Sequence, residues 1–124
     1  MNLMEVPNIY IGNDLVDVAR IHSSITRFGK KFLDRIYSKY EQKYCMSKSK
    51  PVIHYAGRFA AKEAVIKALK SSGYKLNIPF NCIEILSGDS GEPIVKLNFT
   101  INGLCRVSIS HTESHAIASA IYFK

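Results

Sequence analysis

No C-x-x-C pair occurs in these 124 residues, and the cysteines number three, Cys45, Cys82 and Cys105. An odd count at wide spacing argues against a disulfide framework or a zinc site and makes a reducing cytoplasm the simpler setting. No apolar run approaches the roughly 20 residues of a membrane span. The opening Met-Asn-Leu-Met-Glu-Val-Pro lacks the basic and apolar regions of a signal peptide. There is no internal repeat and no low-complexity tract. The patterns G-x-x-x-x-G-K-[ST], G-x-G-x-x-G, G-x-S-x-G and H-E-x-x-H are all missing. Phosphate-loop, dinucleotide-fold, hydrolase-elbow and zinc-protease readings therefore lose their main support.

Acidic residues are also scarce, ten against 17 Lys and Arg, for a formal net charge of +7. All of that excess lies in residues 20–50, which hold nine basic residues and two acidic ones, Asp34 and Glu41. The rest of the chain balances at eight against eight. One basic segment on a neutral body is a surface for an acidic partner, and composition leaves open whether that is nucleic acid or protein. The composition, 47% apolar and 22% charged, is that of a globular chain, and the length predicts a single domain over 1–124.

Residues 8–11 read as a short strand, and Gly12-Asn13-Asp14 as a turn into a helix that Asn13 or Asp14 caps. A helical stripe then runs from Leu15 to Ile25 and on through Phe28, Phe32, Leu33 and Ile36. Ser38 reads as the cap of a helix through Tyr44. The clearest helix is Val52 to Leu69, Ala-rich and free of internal Pro. The last third turns to strands at Cys82–Leu86, Ile94–Phe99, Leu104–Ser110 and Ala116–Phe123. Asp89–Pro93 and Asn102-Gly103 punctuate them, the latter as a hairpin signal. Helices first and strands later predict an α+β fold, with helices packed on a small antiparallel sheet.

Candidate chemistry centres on Glu63, set amid Phe59, Ala60 and Ile66, where an unpaired charge is expensive. Lys67, one turn on, can pair with it as an ordinary exposed Glu–Lys pair. Arg58, Lys62 and Lys67 also place three cations around one carboxylate, which suits phosphate beside a metal. Asp14 is either a helix cap or a ligand at a strand end. His111, on one face with Val107 and Ile109, is either a structural histidine or an acid, base or phosphate donor. His54 carries no supporting context in the sequence.

Three segments taken together resemble one family. They are Ile11-Gly12-Asn13-Asp14-Leu15-Val16-Asp17-Val18-Ala19-Arg20-Ile21, Gly57-Arg58-Phe59-Ala60-Ala61-Lys62-Glu63-Ala64-Val65-Ile66-Lys67-Ala68-Leu69, and Val107-Ser108-Ile109-Ser110-His111-Thr112. In this order, in a short chain, they resemble the bacterial holo-[acyl-carrier-protein] synthases, the small 4'-phosphopantetheinyl transferases. The resemblance implies transfer of the phosphopantetheine arm of coenzyme A to a serine of apo acyl carrier protein, with adenosine 3',5'-bisphosphate released, in fatty acid biosynthesis. It implies Mg2+ held by Asp14 and Glu63, with Glu63 or a metal-bound water as base. It places Arg58, Lys62, Lys67 and His111 at the coenzyme A phosphates, Lys67 and His111 foremost. It puts the Gly91-Glu92-Pro93 turn near the adenine.

The basic segment becomes the docking surface for the acidic carrier, through Arg20, Arg27, Lys30, Lys31 and Arg35. A homotrimer with active sites between subunits, a cytoplasmic location, and no nucleic-acid or membrane partner also follow from the resemblance. Lys70-Ser71-Ser72-Gly73 departs from the family's Gly-Thr-Gly, and no binding role carries onto it. Some members have an acid where this chain has Thr112, which weakens any His-acid base pair. A basic nucleic-acid-binding domain, and an inactive family member kept as a subunit, are the alternatives.

Overall fold

A computed structural model describes residues 8–124. The reading of the first seven residues as no signal peptide lies outside the described residues. Strand β1 spans Ile9–Asp17, and three helices follow, α1 Val18–Phe28, α2 Lys30–Ile36 and α3 Lys39–Met46. The long helix α4 is Pro51–Ser71, and a 3-10 turn at Phe80–Cys82 leads into β2 Ile83–Ser87 and β3 Pro93–Leu97. The chain ends in β4 Leu104–His111 and β5 His115–Phe123. The α+β expectation holds, with the strands divided into two antiparallel sheets, β1-β5-β4 and β2-β3.

The first element differs from the sequence reading. The strand runs on through Gly12-Asn13-Asp14 to Asp17, so Asp14 caps nothing and the helix begins at Val18. Every residue of β1 faces a partner on β5, from Ile9 opposite Phe123 to Asp17 opposite His115. Apolar residues occupy both faces here. Gly12 and Val16 are buried inward, while Ile9, Ile11 and Leu15 are exposed outward. Two apolar faces in one strand read as a helical stripe when the period of two is not separated from the period of 3.6.

Asn102-Gly103 also differs, because β3 and β4 lie in different sheets and the pair closes no hairpin. Gly103 sits at φ 143, where an added Cβ would lie 2.3 Å from the Phe123 carbonyl oxygen. It serves a close backbone approach at the sheet's end.

Helix α4 packs on the inner face of the three-stranded sheet. Its Ala56, Ala60, Ala61, Ala64 and Ala68 are fully buried, as are Ala116 and Ala120 of β5. Small residues on both sides let helix and sheet come close. A Cβ at Gly12 would stand 1.9 Å from the Ala64 carbonyl oxygen and 2.6 Å from the Ala68 nitrogen. The alanines thus do more than favour the helix. They permit the approach that brings β1 against the middle of α4.

A buried ion pair gathers the other elements. Lys62 Nζ lies 2.7 Å from Glu41 Oε1, with both side chains fully buried. The same ammonium donates to the carbonyls of Ile36 at 2.7 Å and Phe80 at 3.3 Å. Glu41 accepts from the Ser38 nitrogen at 2.8 Å, closing a capping box at the start of α3. Its other oxygen accepts from the Ile85 nitrogen at 2.8 Å. One pair therefore ties the end of α2, the cap of α3, the middle of α4, the 3-10 turn and β2.

Removing one partner leaves a buried charge uncompensated. Glu41→Ala and Lys62→Met are each expected to cost about 3–5 kcal/mol in urea unfolding. Lys30→Ala, which breaks the exposed 3.6 Å pair with Asp34, is expected to cost about 0.5 kcal/mol or less. A Glu41→Ala variant as stable as Lys30→Ala would show that the buried pair does not organise the fold.

Candidate active site

Asp14 stands on the inward side of β1, its side chain 15% exposed, where the strand meets α4. Lys67, on α4, reaches across to it. Its Nζ lies 3.1 Å from Asp14 Oδ1 and donates to the Asn13 carbonyl at 2.9 Å. The sequence paired Lys67 with Glu63, but the ion pair is instead with Asp14 on the neighbouring strand. Glu63 is half-buried one turn before Lys67. Burial first, and then the Asp14 carboxylate, hold the Glu63 carboxyl above the usual carboxylate range, against the opposing effect of Lys67. These three groups line a cleft of about 350 Å³ together with Arg20 and Ser24 of α1, while Ile21, Phe32 and Phe59 give it an apolar wall.

Two like charges beside one cation define the cleft's electrostatics. The Asp14 charge disfavours the ionised form of Glu63, and Lys67 offsets part of that effect. Two hard oxygen donors facing a polar cleft fit a magnesium ion, which keeps several waters and takes substrate oxygens besides one or two carboxylates. Among the described residues no three His, Cys, Asp or Glu side chains come together as a metal cluster. The carboxylate pair is therefore the donor set that a hard cation would meet here.

Apart from Arg20, the other expected residues are absent from the lining of this cleft. Lys62 is a correction. Its three ammonium hydrogens have three acceptors, Glu41, Ile36 and Phe80, so it has no donor left for a phosphate. The helical turn explains this, since Lys62 lies about 100° round α4 from Glu63.

Arg58 is 5% exposed, stacks with its guanidinium carbon 3.8 Å from the Tyr44 ring centre, and donates to Ser87 Oγ at 3.3 Å. His111 is exposed at the end of β4, its ring 5.5 Å from that of His54. Gly91, at φ 82, turns the β2–β3 hairpin, and Pro93 opens β3. Pro93 lines a groove of about 610 Å³ with Leu104 and Arg106, which shares no residue with the carboxylate cleft.

Arg20, Arg27, Lys31 and Arg35 are all exposed, on α1 and α2. Glu41, Tyr44 and His54 went unassigned in the sequence. The capping-box spacing Ser38-x-x-Glu41 and the one-turn spacing of His54 and Arg58 were the available signals.

Residues 10–120 match the family model of the 4'-phosphopantetheinyl transferase superfamily. The chain is 40% identical over 117 residues to a holo-[acyl-carrier-protein] synthase of Protochlamydia amoebophila, covering 90% of this chain and 95% of that one. It is 42% identical over 113 residues to the synthase of Chlorobaculum tepidum, covering 90% and 96%. The crystal structure of the Helicobacter pylori holo-[acyl-carrier-protein] synthase in complex with coenzyme A superposes with a TM-score of 0.76 at 33% identity, covering 90% of this chain and 98% of that one. The chain belongs to the 4'-phosphopantetheinyl transferase superfamily. Within it, its place is with the holo-[acyl-carrier-protein] synthases.

The opposing influences on Glu63 give a direct test. Asp14→Asn is expected to lower the Glu63 titration midpoint and Lys67→Ala to raise it, read from the carboxyl carbon signal by NMR. Midpoints that move together in the two variants would mean that the three groups do not share one cleft.

Proposed function

We propose that this chain, as one transferase domain over 1–124, moves the 4'-phosphopantetheine arm of coenzyme A onto a serine of apo acyl carrier protein, in the cytoplasm and in fatty acid biosynthesis. The serine oxygen bonds to the phosphorus of the arm. The bond from that phosphorus to the remaining nucleotide breaks, and adenosine 3',5'-bisphosphate leaves. The serine proton must pass to a base, and Glu63 or a water on the metal would take it. Lys67 would meet phosphate oxygens, and its hold on Asp14 and the Asn13 carbonyl supports this role by fixing where its charge stands. Asp14 and Glu63 would hold magnesium, whose chemistry there is to neutralise charge on the pyrophosphate. The observation that carries this reading is the gathering of Asp14, Glu63, Lys67 and Arg20 around one cleft.

Arg58 and His111 are assigned to the phosphates of coenzyme A, and the Gly91–Pro93 turn to the neighbourhood of its adenine. Their distance in the fold from the carboxylate cleft favours sites completed between subunits. The outer face of the three-stranded sheet supports such assembly, since Ile11 and Leu15 are each 66% exposed and Leu104 59%. Ile117 and Ile121 of β5 join them, which is a large apolar face for an isolated chain. We assign it to a homotrimer. The exposed cations Arg20, Arg27, Lys31 and Arg35 are the proposed grip on the acidic carrier.

The protein mixed with coenzyme A, magnesium and apo carrier is expected to add the arm's mass to the carrier in mass spectrometry. Asp14→Ala and Glu63→Ala are each expected to lower kcat/KM about 10³-fold, the several kcal/mol of charge stabilisation a metal contributes. Near wild-type turnover at saturating magnesium in either variant would remove the metal assignment. Arg27→Glu is expected to raise the KM for the carrier about tenfold and leave that for coenzyme A in place. An unchanged carrier KM would remove the docking surface.

A further inference from the structure

Four cationic or protonatable side chains meet where α3, α4 and β4 come together, away from the carboxylate cleft. His54 and Arg58 lie one turn apart on α4 and so share a face. Tyr44 of α3 packs against both. The Arg58 guanidinium carbon stands 3.8 Å from the Tyr44 ring centre and the His54 ring 6.0 Å from it, edge to face. Lys48, just past α3, brings its ammonium within 4.6 Å of the same ring. His111, at the end of β4, sets its ring 5.5 Å from His54.

Among the described residues no carboxylate pairs with any of the four. Glu113, on the turn after β4, is taken up by Lys50. Arg58 is 95% buried by its 5% exposure, yet its Nε has no hydrogen-bond partner. A buried guanidinium with an unused donor, beside the Lys48 ammonium and two protonatable imidazoles, is a site suited to an anion.

We propose that His54 is a phosphate-binding residue of this cluster, and that it takes up a proton when a phosphomonoester binds beside Arg58, Lys48 and His111. The inference rests on the reading of Arg58 and His111 as coenzyme A phosphate contacts and assigns a role to a residue which that reading left out. The charged and titratable groups around the His54 ring are Tyr44 and Lys48 from the α3 side, Arg58 from α4 and His111 from β4.

With the site empty, burial first and then the charges of His111, Lys48 and Arg58 hold the imidazole below its usual range, so it is neutral. A phosphate anion among the same groups offsets the charges of Lys48 and Arg58 and favours the imidazolium. Because the bound state then holds the extra proton, affinity rises as pH falls through the bound-state midpoint. The gain ends where the ligand's own phosphate takes a proton, near about pH 6.

The test is calorimetric titration with adenosine 3',5'-bisphosphate in two buffers of different ionisation heat, which counts the protons taken up. For the wild type, proton uptake is expected, with the dissociation constant falling about five- to tenfold between about pH 8 and pH 6.5. His54→Gln and His54→Phe are expected to bind with little proton uptake and a flat pH profile. Binding by these variants with wild-type proton uptake overturns the proposal alone. Absence of binding by the wild type at every pH overturns it together with the reading it rests on. Should both variants fail to fold, the wild-type His54 ring proton decides by NMR. It is expected to move to its protonated position on adding nucleotide, and an unmoved signal overturns the proposal.

Discussion

Two charges, Lys62 and Glu41, are buried together at the centre of the molecule, and the placement of five segments depends on them. Burying either alone would cost several kcal/mol. Together they satisfy each other and use their remaining hydrogen-bonding capacity on backbone groups at Ser38, Ile36, Phe80 and Ile85. Those partners come from elements far apart in sequence. Satisfying one ion pair therefore fixes how α2, α3 and β2 sit around α4. It also decides what Lys62 is for. A lysine within the helix motif, next to Glu63 in the chain, is turned inward and committed to structure.

Helix α4 presents different chemistry to each of its surroundings. Its alanines meet β1 and β5 closely enough that Gly12 has no room for a Cβ. That approach lets Lys67 span from helix to strand and hold Asp14. The site's two carboxylates thus come from different elements, and the distance between helix and sheet sets their mutual repulsion. A larger residue at Gly12 or Ala64 would act on this chemistry without touching a substrate. On another face of the same helix, His54 and Arg58 look toward α3 and β4, and Tyr44 provides the surface on which their charges gather.

Much of this was legible in the residues, and the failures share one cause. The α4 helix, the Ser38 cap and the late strands follow from periodicity and cap chemistry, which are local. The glutamate that completes that cap could be read from the Ser38-x-x-Glu41 spacing. Its lysine partner could not, because 21 residues separate the two. β1 runs past Ile11 to Asp17 and delays the helix to Val18, which local pattern does not reveal, since a strand with apolar residues on both faces lacks simple alternation. Its outward Ile11 and Leu15 make sense only for a face that meets something else. Asn102-Gly103 carried a hairpin signal, yet the strands it joins belong to different sheets.

By itself the sequence determined the α+β class, the α4 helix with Glu63 and Lys67 on one face, the basic segment in residues 20–50, and the motifs that resemble the family. These are properties of spacing and side-chain type, which the chain carries before it folds. Tertiary structure alone decided the rest. It paired Lys67 with Asp14 rather than Glu63, took Lys62 out of the site, and brought His54 against His111. Each of these turns on which neighbour satisfies a charge at least cost in a partly dehydrated place. That choice depends on distances across the fold that no spacing along the chain contains.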